Sequence, residues 1–433
     1  MSRYKQSLAW YAEATRVTPG GAQTLSKMAT RFPLGSFPIA VERAEKARVL
    51  DVDGNWYVDW INALGAVTLG YQHPHVIEAI IRQLKAGVLF SLPHKLEKEL
   101  SSRIVDLVPC AETVRWFKTG SEATQAAIRI ARIATGRDIV LTVADGYHGW
   151  HSWFLAVKPW HPGVPKEYGD LIKPFRFNDL ASLAQQLTKY GPHTAAVILE
   201  PCHFDAPIPG FLEGVRELCS EYQTILIFDE MVTGFRWATA GAQEYFNVLP
   251  DLATFGKSVA NGLPLALLCG NADIMRHANI VHGGTFGGDA LALAACNAVL
   301  DVYEREGVIK KLWLSGAQLQ EYFNKTARTL NVPAISDGFP CKPRIRFLPS
   351  DTSGLKGGQD QLSMSLFLQE TAAQGVLFHP SNCNVSAAFT DEDMAITFKA
   401  IEIALIAVSQ AVETSDWSRL TGAPIMPVIP LRG

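Results

Sequence analysis

Five apolar runs in this sequence end in residues that could do chemistry. The run Thr224–Phe228 stops at two carboxylates, Asp229 and Glu230. The run Leu252–Phe255 stops at Gly256-Lys257. TAAVILEP stops at Glu200-Pro201, DIVLTVADG leads into Tyr147-His148, and TVRWFKTG leads into Ser121 through Gly120. A carboxylate at a strand end can hold a cation or a proton, and a lysine amine can act as a nucleophile. A glycine and a hydroxyl at a helix start offer N–H groups and the helix dipole to an anion. An exposed aromatic can cover a planar ring. Each piece also has a plainer reading. Ser121 could simply cap a helix with Glu122 in its first turn. Tyr147-His148 could be a loop with a packed aromatic, the two acids a solvated strand end, and Lys257 a surface lysine.

The elements that must position these residues follow from periodicity. Strand-length apolar runs alternate with helical patterns from TVRWFKTG to PLALLCG. That order predicts an α/β fold with a mostly parallel sheet flanked by helices. In such sheets ligands bind outside the carboxyl ends of the strands, where all five chemical endings would gather. Before this region, residues 4–17 read as a surface helix, Ala47–Trp60 as a hairpin turning at Asp53-Gly54, and HPHVIEAIIRQLKAG as a helix from Pro74 to Gly87. The predicted organisation is an N-terminal segment over 1–65, a large domain over 66–306, and a smaller α+β C-terminal domain over 307–433. A final helix is expected near Glu392–Val408, and the small domain is expected to share structure with the N-terminal segment.

Composition narrows the class. The chain has 433 residues, 48% hydrophobic, with a net charge of −3, so no basic field invites nucleic acid. Its seven cysteines are scattered, with no Cys-x-x-Cys, which argues for a reducing compartment rather than a disulfide framework. The N-terminus lacks a signal-peptide apolar stretch, and AIEIALIAV is too short to span a bilayer. A cytoplasmic protein is expected. His73 with His75, or His148 with His151, lack the clustered acids or cysteines of a metal site, and no metal is expected.

One cofactor would use every piece. Pyridoxal 5′-phosphate needs an anion cradle, an aromatic on a ring face, a carboxylate at the ring nitrogen and a lysine for its Schiff base. The motifs GSEA, YHG, EP, FDE…TGFR, FGK and GGTFGG, in this order, resemble the fold type I, class III aminotransferases. Within them the chain is most similar to the glutamate-1-semialdehyde aminomutase branch, from PGG to TDEDM. The resemblance implies a pyridoxal-phosphate transferase fold and roles by position. Lys257 would carry the Schiff base and shuttle protons, and Asp229 would hold the ring nitrogen. Met231, where the family usually has valine, would pack on one ring face. Tyr147 would cover the other, with His148 beside it. Gly120 and Ser121 would bind phosphate, with Glu200 near the cofactor. Thr285 would reach the phosphate of a neighbouring subunit, which requires a homodimer with shared active sites.

The departures fall on the substrate side. Where the mutase reads PGGVNSPVRAF, this chain reads PGGAQTLSKMATRF, which puts Thr24 for serine and Lys27 for arginine. A lysine cannot make the arginine's bidentate clamp on a carboxylate. HPSNCNVSAAF lacks the mutase's acid, and Asn382 and Asn384 suggest uncharged recognition. The expected activity is a transaminase passing an amino group from an amino acid, glutamate first among the expected donors, to a hydroxylated or sugar-like carbonyl acceptor. The alternative is the intramolecular aminomutase. A non-catalytic pyridoxal-binding regulator would carry a DNA-binding module, and no basic helix-turn-helix region is visible.

Overall fold

The computed structural model describes residues 3–158, 162–202, 205–281, 283–349, 360–381 and 383–425. The chain divides into two compact units, Pro74–Ile309 and a second made of Met1–His73 with Lys310–Gly433. In the second unit, β1 (Val41–Glu45), β2 (Arg48–Asp51) and β3 (Trp56–Asp59) form an antiparallel meander around Gly54. The free edge of β3 pairs in parallel with Val376–Leu377, Val376 opposite Val58. One sheet thus joins strands from early and late in the chain. Helix Asp391–Thr414 is long and apolar enough to cross a bilayer by composition, yet it turns Ala400, Ile401, Ala404, Leu405 and Val408 inward, as a core helix does. It runs one residue earlier and six later than the sequence pattern suggests.

The unit Pro74–Ile309 carries the chemistry. Its seven strands are β4 (Thr113–Phe117), β5 (Ile139–Val143), β6 (Ile172–Phe175), β7 (Thr194–Leu199), β8 (Ile225–Asp229), β9 (Leu252–Phe255) and β10 (Ala266–Gly270), in the order β4-β10-β9-β8-β7-β5-β6. From β9 to β6 every pairing is parallel, whereas β10 is antiparallel to both β9 and β4. The reason is the connection: only a short 3-10 turn, Lys257–Ala260, intervenes between β9 and β10. A parallel return needs a longer crossover. Because β10 alone is reversed, the carboxyl ends of β4, β5, β7, β8 and β9 share one edge of the sheet.

Alternation along each strand feeds two cores. Ile225 and Ile227 join Ala196, Ile198 and Leu268 on the face covered by the helix Gly120–Thr135, through Ala123, Ala127, Ile130 and Ala131. Leu226 and Phe228 join Val197, Leu199, Phe211 and Val215 on the other. Period two continues one step further, so Asp229 faces the same side as Ile227, toward that helix.

Candidate active site

Strand β8 places Asp229 at the sheet edge, 2% exposed. Its Oδ2 lies 2.7 Å from Nδ1 of His148, and its Oδ1 accepts from the Met231 N–H at 3.1 Å and from Thr254 Oγ1 at 3.4 Å. The aspartate is therefore oriented by three elements. His148 is buried as well and turns its imidazole onto Asp229, and its buried Nε2 has no hydrogen-bond partner among the described residues. Tyr147, by contrast, is 59% exposed, and its N–H donates to Glu200 at 3.3 Å. Although much of its surface is open, the atoms packed around its phenol desolvate it, and this, followed by the charge of Asp229, raises the Tyr147 pKa above the ordinary range.

Glu230 has a different task. Its buried carboxylate accepts from the Ala242 N–H at 2.8 Å, from the Gln243 N–H at 2.9 Å and from the Thr233 hydroxyl. Burial pushes that carboxyl up to about 6. Gly241, at φ +85°, lies so close that a side chain would run into the carboxylate. Glu230 thus folds back the segment that follows β8, while Asp229 meets His148.

The amine of Lys257 follows β9. Its backbone is left-handed, φ +47°, a conformation that costs a non-glycine residue about 1–2 kcal/mol and persists only where surroundings impose it. Half-buried by surface area, Lys257 is densely surrounded. Desolvation pushes its amine below the ordinary lysine range, Glu200 and Asp229 oppose the shift, and Arg236 adds to it.

The helix Gly120–Thr135 begins beside these groups. Its cap is Thr119, not Ser121: the Thr119 hydroxyl accepts from the Glu122 N–H at 3.2 Å, and Glu122 Oε2 accepts from the Thr119 N–H at 2.9 Å. This capping box leaves the first-turn N–H groups of Gly120 and Ser121 outside the intrahelical ladder. The Ser121 hydroxyl accepts from the Trp150 N–H at 3.3 Å. Met231 Sδ lies where a Cβ on Gly120 would meet it at 2.7 Å and one on Gly256 at 2.6 Å. Only glycine at both positions lets the thioether bridge the helix start and the end of β9.

Thr285 is exposed in the turn before the helix Ala290–Glu306, beside Phe286. Lys118 pairs with Asp289, which caps that helix. The other histidines considered as metal pairs have different partners: His75 meets Asp301 at 2.9 Å and His151 meets the Ser121 carbonyl at 2.9 Å.

The substrate-side residues lie in the unit built from both chain ends. Thr24 and Lys27 are exposed on a 3-10 turn, the Lys27 N–H donating to the Thr24 carbonyl at 3.0 Å. Lys27 lines a cavity of about 610 Å³ within this unit, whose walls include Phe32, Phe37, Ile39 and Val49 and also Asp59 and Tyr71. Asn382 lies outside the described residues. Asn384 corrects the reading of polar recognition: it is buried, and its amide donates to the Ile61 carbonyl at 2.9 Å. Its polarity serves the loop Trp60–Asn62.

Sequence reasoning gave no role to Arg236 of the TGFR motif. It is 1% exposed, a guanidinium inside the fold. The available signal was a lone cation in an otherwise apolar and glycine-rich stretch directly after two acids.

The aminotransferase class-III family matches residues 33–335 of this chain. The chain is 34% identical to the glutamate-1-semialdehyde 2,1-aminomutase of Syntrophobacter fumaroxidans, covering 95% of this chain and 99% of that protein. It is also 34% identical to the 3-aminobutyryl-CoA aminotransferase of Cloacimonas acidaminovorans, covering 94% and 98%. Among solved structures it is similar to the PLP-bearing FumI protein of Sphingopyxis sp. MTA144, with a TM-score of 0.88 and 26% identity over 95% of this chain and 98% of that one. The chain belongs to the class-III aminotransferases.

Proposed function

We propose that this chain is a cytoplasmic transaminase that moves an amino group from an amino-acid donor, glutamate first among the expected donors, to a carbonyl acceptor. The observation that carries this reading is the amine of Lys257, held below its ordinary pKa beside Glu200 and Asp229 at the edge where the helix Gly120–Thr135 begins. The cofactor is pyridoxal 5′-phosphate. The residues present fit it: two first-turn N–H groups and a hydroxyl for the phosphate, a thioether packed close over Gly120 and Gly256, and a buried carboxylate near the amine. When bound, it supplies a carbonyl that condenses with amines and a cationic ring that accepts electrons.

The chain's own groups then have defined tasks. Gly120 and Ser121 bind the phosphate at the helix N-terminus. Met231 and Tyr147 cover the two faces of the ring. Asp229 keeps a proton on the ring nitrogen, and His148 orients Asp229. Lys257 would hold the cofactor covalently and, once the donor's amine has displaced it, would take the donor's α-proton and deliver it across the nitrogen to the cofactor's former carbonyl carbon. All seven cysteines are buried thiols, in keeping with a reducing compartment.

The active unit is proposed to be a homodimer in which Thr285 completes the partner's phosphate site. Thr285 shares its exposed turn with Phe286, and Leu92 and Trp150 of the same unit are also largely exposed, the kind of apolar surface a second copy covers. Sedimentation should show a dimer, and Thr285→Ala should weaken cofactor retention while leaving the dimer intact. A fully active monomer would remove this part of the reading.

Two equally similar relatives, one a mutase and one an aminotransferase, leave the choice of reaction to the substrate side. A mutase must grip one diamine through both half-reactions. Here a lysine replaces the arginine clamp, and Asn384 is committed to the fold. Supplied with glutamate-1-semialdehyde and no other amine, the enzyme is expected to make little 5-aminolevulinate, and turnover should require an external amino donor. Sustained 5-aminolevulinate formation over many turnovers would make it the aminomutase.

A further inference from the structure

Arg236 is a buried cation that joins the two segments carrying Asp229 and Lys257. Its Nε donates to the Val232 carbonyl at 3.2 Å, in the turn just after β8. Its Nη2 donates to Ser258 Oγ at 3.4 Å, one residue beyond Lys257. Ser258, Val259 and Ala260 are all buried, so the guanidinium grips the lysine's turn from inside the fold. That turn starts with a left-handed lysine and ends at a left-handed Asn261, a geometry the chain does not choose by itself.

Charge supplies the second argument. Burial acts most on the Lys257 amine, and the charges that act on it are, in falling order, Glu200, Asp229 and Arg236. Asp229 is also faced by His148 and Tyr147, and Lys158 lies near Glu200. Glu230, although adjacent in sequence, spends its oxygens on Thr233, Ala242 and Gln243. Two carboxylates next to an amine favour the ammonium ion, and an ammonium ion cannot attack a carbonyl. A fixed positive charge of the same site offsets them. Arginine suits this task because it stays charged when buried and presents several donors in one plane.

We propose that Arg236 is a positioning residue for Lys257: it holds the lysine's left-handed turn through Ser258 and offsets Glu200 and Asp229 so that the amine is neutral when it meets a carbonyl. The proposal rests on the reading of Lys257 as the cofactor-bonding residue and extends it to a residue that acts through the lysine.

The test is the rate at which the full chain, stripped of cofactor, captures pyridoxal phosphate at a series of pH values, followed by absorbance. Loss of the Arg236 charge lets Glu200 and Asp229 hold the proton more tightly, so the amine deprotonates at higher pH. In Arg236→Gln the midpoint of the capture profile is expected to rise by about one unit, roughly tenfold slower capture below the midpoint. Arg236→Lys keeps the charge and should return the midpoint close to the parent's. Ser258→Ala removes the contact and keeps the charge, so its midpoint should stay and its captured cofactor should dissociate faster. An unmoved midpoint in folded Arg236→Gln overturns the proposal. If that variant does not fold, a midpoint raised in Arg236→Lys, or cofactor held by Ser258→Ala as firmly as by the parent, overturns it instead. A parent chain that captures no cofactor at any pH would instead overturn the reading of Lys257 itself.

Discussion

Lys257→Ala should give a folded protein that forms no covalent bond to pyridoxal phosphate and loses turnover by at least about 10⁵-fold, roughly 7 kcal/mol of barrier. Lys257 is assigned two tasks, bonding the cofactor and moving the α-proton, and alanine can do neither. Borohydride reduction of the parent, followed by peptide mapping, should place the adduct on Lys257. The nearest competitor is Lys158. Burial also pushes its amine below the ordinary range, and Glu200 acts on it too. Its ammonium, however, donates to the Gly146 carbonyl, and it follows the short helix Ser152–Leu155 rather than a strand of the sheet. Lys158→Ala should therefore keep the reduced adduct on Lys257. An adduct on Lys158 in the parent would dismantle the site assignment, since every other role was argued from the position of the amine at the end of β9.

The features legible in the sequence were those set by local pattern. Continuous apolar runs of strand length located β4, β5, β7, β8 and β9, and their chemical endings share one edge because these strands run alike. What stayed hidden depended on partners far away in sequence or on edges. Strand β6 is four residues long and contains Pro174, which reads as a strand breaker. It is tolerated there because β6 is the last strand of the sheet, where a missing N–H need not meet a neighbour. The reversal of β10 came from the brevity of its connection. Asn384 was read as a recognition residue for its polarity, yet its amide is bound to a carbonyl more than 300 residues earlier in the chain. The cap at Thr119 was legible locally, since Thr119 with Glu122 three positions on has the capping-box spacing, although the sequence reading weighed only Ser121 as a cap.

Asp229→Asn separates charge from shape at the centre of the site. The amide is nearly the same size as the carboxylate, and it can still meet His148 Nδ1, now 2.7 Å from Oδ2, and the Met231 N–H. The phosphate cradle at Gly120 and Ser121 and the amine of Lys257 are untouched, so cofactor binding should survive. What disappears is the negative charge that keeps a proton on the ring nitrogen. Without that proton the ring is a poor electron acceptor, and removal of the donor's α-proton slows. The expected loss is about 10³-fold or more in turnover, roughly 4 kcal/mol, with cofactor still bonded to Lys257 by borohydride mapping. Asp229→Glu keeps the charge but adds a methylene beside Thr254 and His148, so it should retain more activity than the asparagine variant. Near-normal turnover in Asp229→Asn would transfer the role to another acid, and Glu200, which also acts on the Lys257 amine, would be the one to test next.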